Sequence, residues 1–316
     1  MFANHEFAEP GRTATQHEDR YYPENWFPFA HASMSDPVSG KTGGLLRGDA
    51  SDPLVIETNT STEYWQKGAS LIHTDPAGVR DAEVPANVRI YLVAGTQHGG
   101  RAGLTTSAGP CVNSRNPHSA GPALRALLAA LDEWVAKGTP APANRVPSIL
   151  AGTAVLSEAV KMPAVKGFVV PKEAHSIGLP VDWINPPGSE PAFAVASAAK
   201  TYGVRVPAVD VDGNETACIR SPDIAVPLAT YTGWNLYKAE PSELCDRDGS
   251  YLPFAKTKAE REASGDPRPS IEERYGSRDA YVAKVKAAAD VLVADRLLLR
   301  ADADAYVRAA QASDRF

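Results

Sequence analysis

Asn87 to Val93 reads NVRIYLV, with Val88, Ile90, Leu92 and Val93 aliphatic or β-branched, the pattern of a buried strand. Residues 53–58, PLVIET, repeat that texture and predict a second strand, turned off by Asn59-Thr60-Ser61-Thr62. The loop-rich connection GASLIHTDPAGVRDAEVPANV is long enough to hold the crossover that parallel pairing requires. Residues 122–137, PALRALLAALDEWVAK, predict the clearest helix in the chain. Pro122 suits its first position, Leu124, Leu127, Leu128, Leu131 and Val135 make one apolar stripe, and Gly138 sits where a C-terminal cap belongs. Residues 51–138 therefore form one turn of an α/β sheet: strand, acidic loop, crossover, strand, histidine loop, helix.

The flanks are patterned differently. Residues 1–50 show no period and are expected to be an irregular arm continuing from something earlier, with Trp26, Phe27 and Phe29 pinning it to another surface. His17, Glu18 and Asp19 are adjacent on a loop, where side chains seldom converge on one ion, so they are expected to be solvated charges. Residues 139–316 open with a Pro-rich loop. Within them, 202–220 predict a β-hairpin turning at Asp212-Gly213. Asp210, Asp212 and Asn214 alternate as in a calcium loop, but the glutamate that closes such a loop is absent. From 270 to 310 the chain predicts helix, with a Ser270/Glu273 capping box and a stripe of Val282, Val285, Ala289 and Val293.

Composition narrows the classes. The 316 residues carry a net charge of −6 with no Lys/Arg cluster, which argues against a nucleic-acid groove. Cys111, Cys218 and Cys245 are far apart and form no C-x-x-C, so no zinc site and at most one disulfide are expected. MFANHEFAEP has neither the basic segment nor the apolar core of a signal peptide, and the apolar runs are too short to span a bilayer. The expectation is a soluble chain without metal, cofactor, nucleic-acid or membrane partner.

His98 follows the buried strand in the sequence Thr-Gln-His-Gly, at the strand end where open α/β sheets place chemistry. A histidine acting as base needs a carboxylate on one ring nitrogen, so that the other can take a nucleophile's proton. Glu63, just beyond the first strand, is the candidate acid. Asp75 and Asp81 are rivals, and Glu57 falls inside the strand. The plain alternatives are a loop histidine bonded to its neighbours and a glutamate that caps or lies on the surface. In the α/β-hydrolase order of nucleophile, acid, base, Glu63 and His98 fill the last two places. Tyr64, Trp65, Tyr231 and Trp234 could line a pocket, with core packing as the alternative.

The stretches FPFAHASMSDPVSGKTGGLL, STEYWQKGASLIHTD, VRIYLVAGTQHG, NPHSAGPALRALLAALDEWV, VDVDGNETACIRSPDIAVPLATYTGWN, GSYLPFAKTKAER and GDPRPSIEERY resemble bacterial α/β-hydrolase domain-containing proteins, over nearly the whole chain. The resemblance implies the C-terminal part of an α/β-hydrolase-type sheet with a hairpin insertion and C-terminal helices. It also implies a serine hydrolase acting on a small ester-type substrate, with His98 as base and Glu63 as acid. The family's nucleophile lies in a G-x-S-x-G-type turn upstream of the matched region. Here no G-x-S-x-G occurs, and Ser33, Ser35, Ser39, Ser61 and Ser70 are expected outside any strand-turn-helix context. The chain is thus expected to carry acid and base, to need its own N-terminal half as partner, and to be inactive alone. The alternative is a non-catalytic binding or interaction protein that kept the architecture.

Overall fold

The computed structural model describes residues 27–99, 106–174, 201–240, 243–245 and 247–316. His17, Glu18, Asp19 and Trp26 lie outside the described residues. The described part of the arm holds a small antiparallel pair, β1 (Met34–Ser35) and β2 (Thr42–Gly43). Phe29 packs with Leu71 and Tyr202, anchoring the arm as its aromatics predict.

Two parallel strands carry the centre, β3 (Val55–Thr60) and β4 (Val88–Val93), in register from Val55 opposite Val88 to Thr60 opposite Val93. Between them run the helix α1 (Ser61–Gln66) and a 3-10 turn, Ala69–Ile72. Every residue of β4 except Arg89 is buried, as expected of a parallel strand covered on both faces. Tyr91 and Val93 face one core with Leu127, Ala289 and Leu292. Val88 and Ile90 face Ile72 on the other side. The second edge of β4 is bridged in parallel by Arg145 and by Ile219. Among the described residues β3 pairs with β4 alone.

Helix α2 (Gly121–Lys137) has the predicted length and a Gly138 cap at φ +68°, but it is turned around relative to its leucines. Ala123, Ala126, Leu127, Ala130 and Trp134 face inward, while Leu124 is exposed and Leu128 is 69% exposed. Both faces carry apolar residues at helical spacing, so periodicity alone does not choose between them. The alanine face lets the helix lie close to the strands, with Trp134 filling the gap beneath Arg89.

The predicted 202–220 hairpin forms only as a turn. Val209 and Glu215 make one antiparallel bridge. Before it, β5 (Ala154–Val155) pairs with β6 (Val206–Pro207), and after it the chain leaves to run beside β4. Asp210 Oδ1 accepts from the Asp212 and Asn214 amides and closes the turn, whereas Asp212 pairs with Arg274 far along the chain.

The short helix α3 (Pro222–Ala225) precedes the antiparallel pair β7 (Ala229–Tyr231) and β8 (Tyr251–Pro253). The helix α4 (Lys258–Ser264) precedes the predicted helical stretch, which resolves into α5 (Ile271–Tyr275), α6 (Arg278–Ala294) and α7 (Arg300–Gln311). Helix α6 buries Val285 and Ala289 as predicted, alongside Tyr281 and Leu292. A disulfide joins Cys111 to Cys245 across 134 residues of sequence. No helix among the described residues is long and apolar enough to cross a membrane.

Candidate active site at the strand ends

The ends of β3 and β4 lie side by side because the strands are parallel and in register, so whatever follows each strand meets at one place. After β3 the chain turns directly into α1. Glu63, in the first turn of that helix, reaches back with Oε2 to accept from the Thr60 amide at 2.7 Å and from the Thr60 hydroxyl. This reciprocal cap satisfies an otherwise orphaned backbone donor and fixes the rotamer of the glutamate. The other oxygen, Oε1, takes His98 Nδ1. The capping reading and the acid reading of Glu63 thus describe two oxygens of one carboxylate.

After β4 the chain turns at Gly95, φ +64°, a left-handed conformation that favours glycine; a Cβ there would also collide with Ile224. The loop is then locked at each residue. Thr96 O accepts from the Ser61 amide at 3.1 Å. Gln97 Oε1 accepts from the Gly249 amide at 2.9 Å. The His98 amide donates to Thr62 Oγ1 at 3.0 Å, and that hydroxyl donates to Gly233 O at 2.6 Å. Helix α1 and the histidine loop therefore hold each other through backbone as well as through the Glu63–His98 contact.

Burial pushes the Glu63 carboxyl up, but the hydrogen bond and charge of His98, together with the Thr60 donors, outweigh it and hold it below the ordinary carboxylate range. An ionised Glu63 accepts from Nδ1–H, which orients the ring so that Nε2 lies on the side away from the carboxylate. The His98 side chain is 31% exposed, so this ring can meet a group arriving from outside.

The rival acids are occupied elsewhere. Asp75 binds the Val79 and Arg80 amides. Asp81 binds the Ser148 hydroxyl and the Ile149 amide. Glu57 pairs with His31. Ser61 does lie at a strand-to-helix junction, contrary to expectation, but its hydroxyl points inward to Glu215 Oε2 at 2.7 Å. Tyr64, Trp65, Tyr231 and Trp234 are all buried, which assigns them to packing. Among the described residues no group of His, Cys, Asp and Glu is arranged to hold a metal.

Two arrangements went unmarked in the sequence. Ser221 Oγ lies 3.1 Å from His118 Nε2, and His118 Nδ1 lies 3.0 Å from Asp223. The order of contacts matches a nucleophile, base and acid, but Ser221 is buried and the His118 side chain is 0% exposed, so a substrate carbon has no approach. The second is Glu215, 4% exposed, whose carboxylate sits behind Ser61 and Gly95. His118 lies more than a hundred residues from Ser221 and Asp223, and Glu215 lies 154 and 120 residues from Ser61 and Gly95, so no local spacing marks these contacts.

A family model described as an alpha/beta hydrolase domain matches residues 13–308. No curated protein and no solved structure matches the chain.

Proposed function

The chain belongs to the alpha/beta hydrolase domain family, and on that premise we propose that it supplies the acid, Glu63, and the base, His98, of a serine hydrolase acting on carboxylic esters. The observation that carries this reading is the contact of a buried, ionised carboxylate with Nδ1 of a histidine whose ring is partly open to solvent. Nε2 takes the proton of the attacking hydroxyl, Glu63 stabilises the imidazolium that results, and Nε2 then gives the proton to the leaving alkoxide.

The nucleophile in this proposal is a serine on a segment preceding Met1. The order nucleophile, acid, base supports that placement. So do four of the described serines ahead of Glu63: Ser35 bonds Thr42, Ser39 bonds Asp36, Ser51 bonds Asp49 and Ser61 bonds Glu215. The second edge of β3, along which no described strand lies, is where a neighbouring strand would seat.

The test is p-nitrophenyl ester hydrolysis and fluorophosphonate labelling of the chain alone and of the chain extended upstream in its reading frame. The reading expects turnover and a single labelled serine in the extended protein only. Turnover with labelling of a serine within these 316 residues, Ser221 included, would overturn the placement of the nucleophile.

A further inference from the structure

Glu215 reaches the strand ends from a distant part of the chain. Its Oε2 accepts from Ser61 Oγ at 2.7 Å and from the Gly95 amide at 2.8 Å. Ser61 opens α1, two residues before Glu63. Gly95 opens the loop that carries His98 three residues later. One oxygen therefore bridges the segment bearing the carboxylate and the segment bearing the ring.

Glu215 is itself held firmly. The turn before it is closed by Asp210, and Asn214 bonds Ala229 O and the Tyr231 amide at 3.0 and 2.9 Å. After it, Ile219 exchanges backbone hydrogen bonds with Leu92 and Ala94. The bridge thus stands on β7 on one side and on β4 on the other. Burying a carboxylate is costly, and burial raises this one to about 7, against the stabilising pull of the Gly95 amide, the Ser61 hydroxyl and the charge of His118. An apolar side chain would fill the volume without that cost but would leave two buried donors unpaired.

We propose that Glu215 is a positioning residue for the Glu63–His98 pair, tying the first turn of α1 to the loop after β4 so that the ring and its carboxylate stay in contact. This rests on the reading of that pair as acid and base.

The test compares the isotope-labelled wild-type protein with Glu215→Ala and Glu215→Gln by NMR. One reading is the downfield Nδ1–H proton of His98, assigned by its loss in His98→Ala. The other is amide hydrogen exchange at Ser61, Thr62, Gly95 and His98, against α6 as reference. Glu215→Ala is expected to abolish or broaden the His98 signal and to speed exchange at these four amides roughly tenfold or more, leaving α6 unchanged. Glu215→Gln keeps an acceptor oxygen and restores the signal. A signal and exchange rates indifferent to Glu215→Ala overturn the proposal, as does equal acceleration in α6, which marks a general loss of stability. Should Glu215→Ala fail to fold, Ser61→Ala deletes one of the two donors and must still loosen residues 61–66; unchanged exchange there also overturns it. Absence of the signal in the wild type would instead overturn the pair itself, and the proposal with it.

Discussion

His98 and His118 each bring Nδ1 to a carboxylate, Glu63 at 35 residues' separation and Asp223 at 105. His118 even has a serine hydroxyl on its other nitrogen. Listed by residue type, His118 is the more complete constellation. Burial reverses the order. The His118 ring is enclosed, packed beside Tyr231, and its acid is the more exposed partner. His98 has the opposite arrangement, with an enclosed acid and a ring about a third exposed. A base must meet a substrate, whereas its acid works best shielded from water, where its charge on the imidazolium is least screened. A carboxylate–histidine contact is therefore an enclosed core element at His118, whereas at His98 it leaves the ring open, as the proposed base requires.

The comparison would break most visibly under alanine. In the upstream-extended protein that the proposal requires, His98→Ala is expected to lower kcat by on the order of 10⁴–10⁶ with little change in Tm. His118→Ala is expected to leave turnover within about tenfold but to cost about 2–4 kcal/mol of stability through the cavity and the loss of the ring's hydrogen bonds to Ser221 and Asp223. Ester kinetics and thermal melts on both variants check this, and exchanged outcomes would show that the two roles are exchanged.

Glu63→Gln sharpens the same contrast. An amide in place of the acid leaves the volume intact but loses the charge that holds the ring's tautomer, and kcat is expected to fall by on the order of 10³–10⁴. Asp223→Asn, measured in the same assay, is expected to leave kcat near wild type.

These residues also show what the sequence reveals and what it hides. Strand β4 and the length of α2 are legible because each carries its own period, and Glu63 and His98 are legible because each directly follows a strand. The inward face of α2 is not, since Ala123, Ala126 and Ala130 are as apolar as the leucines but less conspicuous. Glu215 carries no local signal in the sequence beyond lying within the predicted hairpin. Its meaning lies in Ser61 and Gly95, 154 and 120 residues away, and parallel pairing of the strands is what gathers them. The 202–220 hairpin shrinks to a turn because a good turn signal says nothing about whether its flanks pair with each other or with other strands.

A stability effect of the second order follows from Glu215. Its carboxyl is raised from 4.5 to about 7, so the folded state holds the proton more tightly than the unfolded one. The resulting stabilisation is fully present below pH 4.5 and is lost as pH rises through about 7. The neighbours that share this field are His118, Tyr64 and Cys218. Denaturant melts of wild type and Glu215→Gln across this range should diverge by on the order of 2–3 kcal/mol, with the variant losing less stability as pH rises. Parallel curves would contradict the assignment. The smallest effects are expected from Asp75→Asn and Asp81→Asn, whose carboxylates bind donors away from the Glu63–His98 contact, the Val79 amide for Asp75 and Ser148 and Ile149 for Asp81; kcat should change by less than about threefold.

The central claim is that Glu63 acts only through His98, and a double-mutant cycle on kcat in the extended protein tests it most directly. The account predicts that Glu63→Gln/His98→Ala is no slower than His98→Ala alone, because the acid has nothing left to orient. Losses that multiply, with the double variant slower by the full factor of Glu63→Gln, would mean that the two residues act independently and are not one acid–base unit.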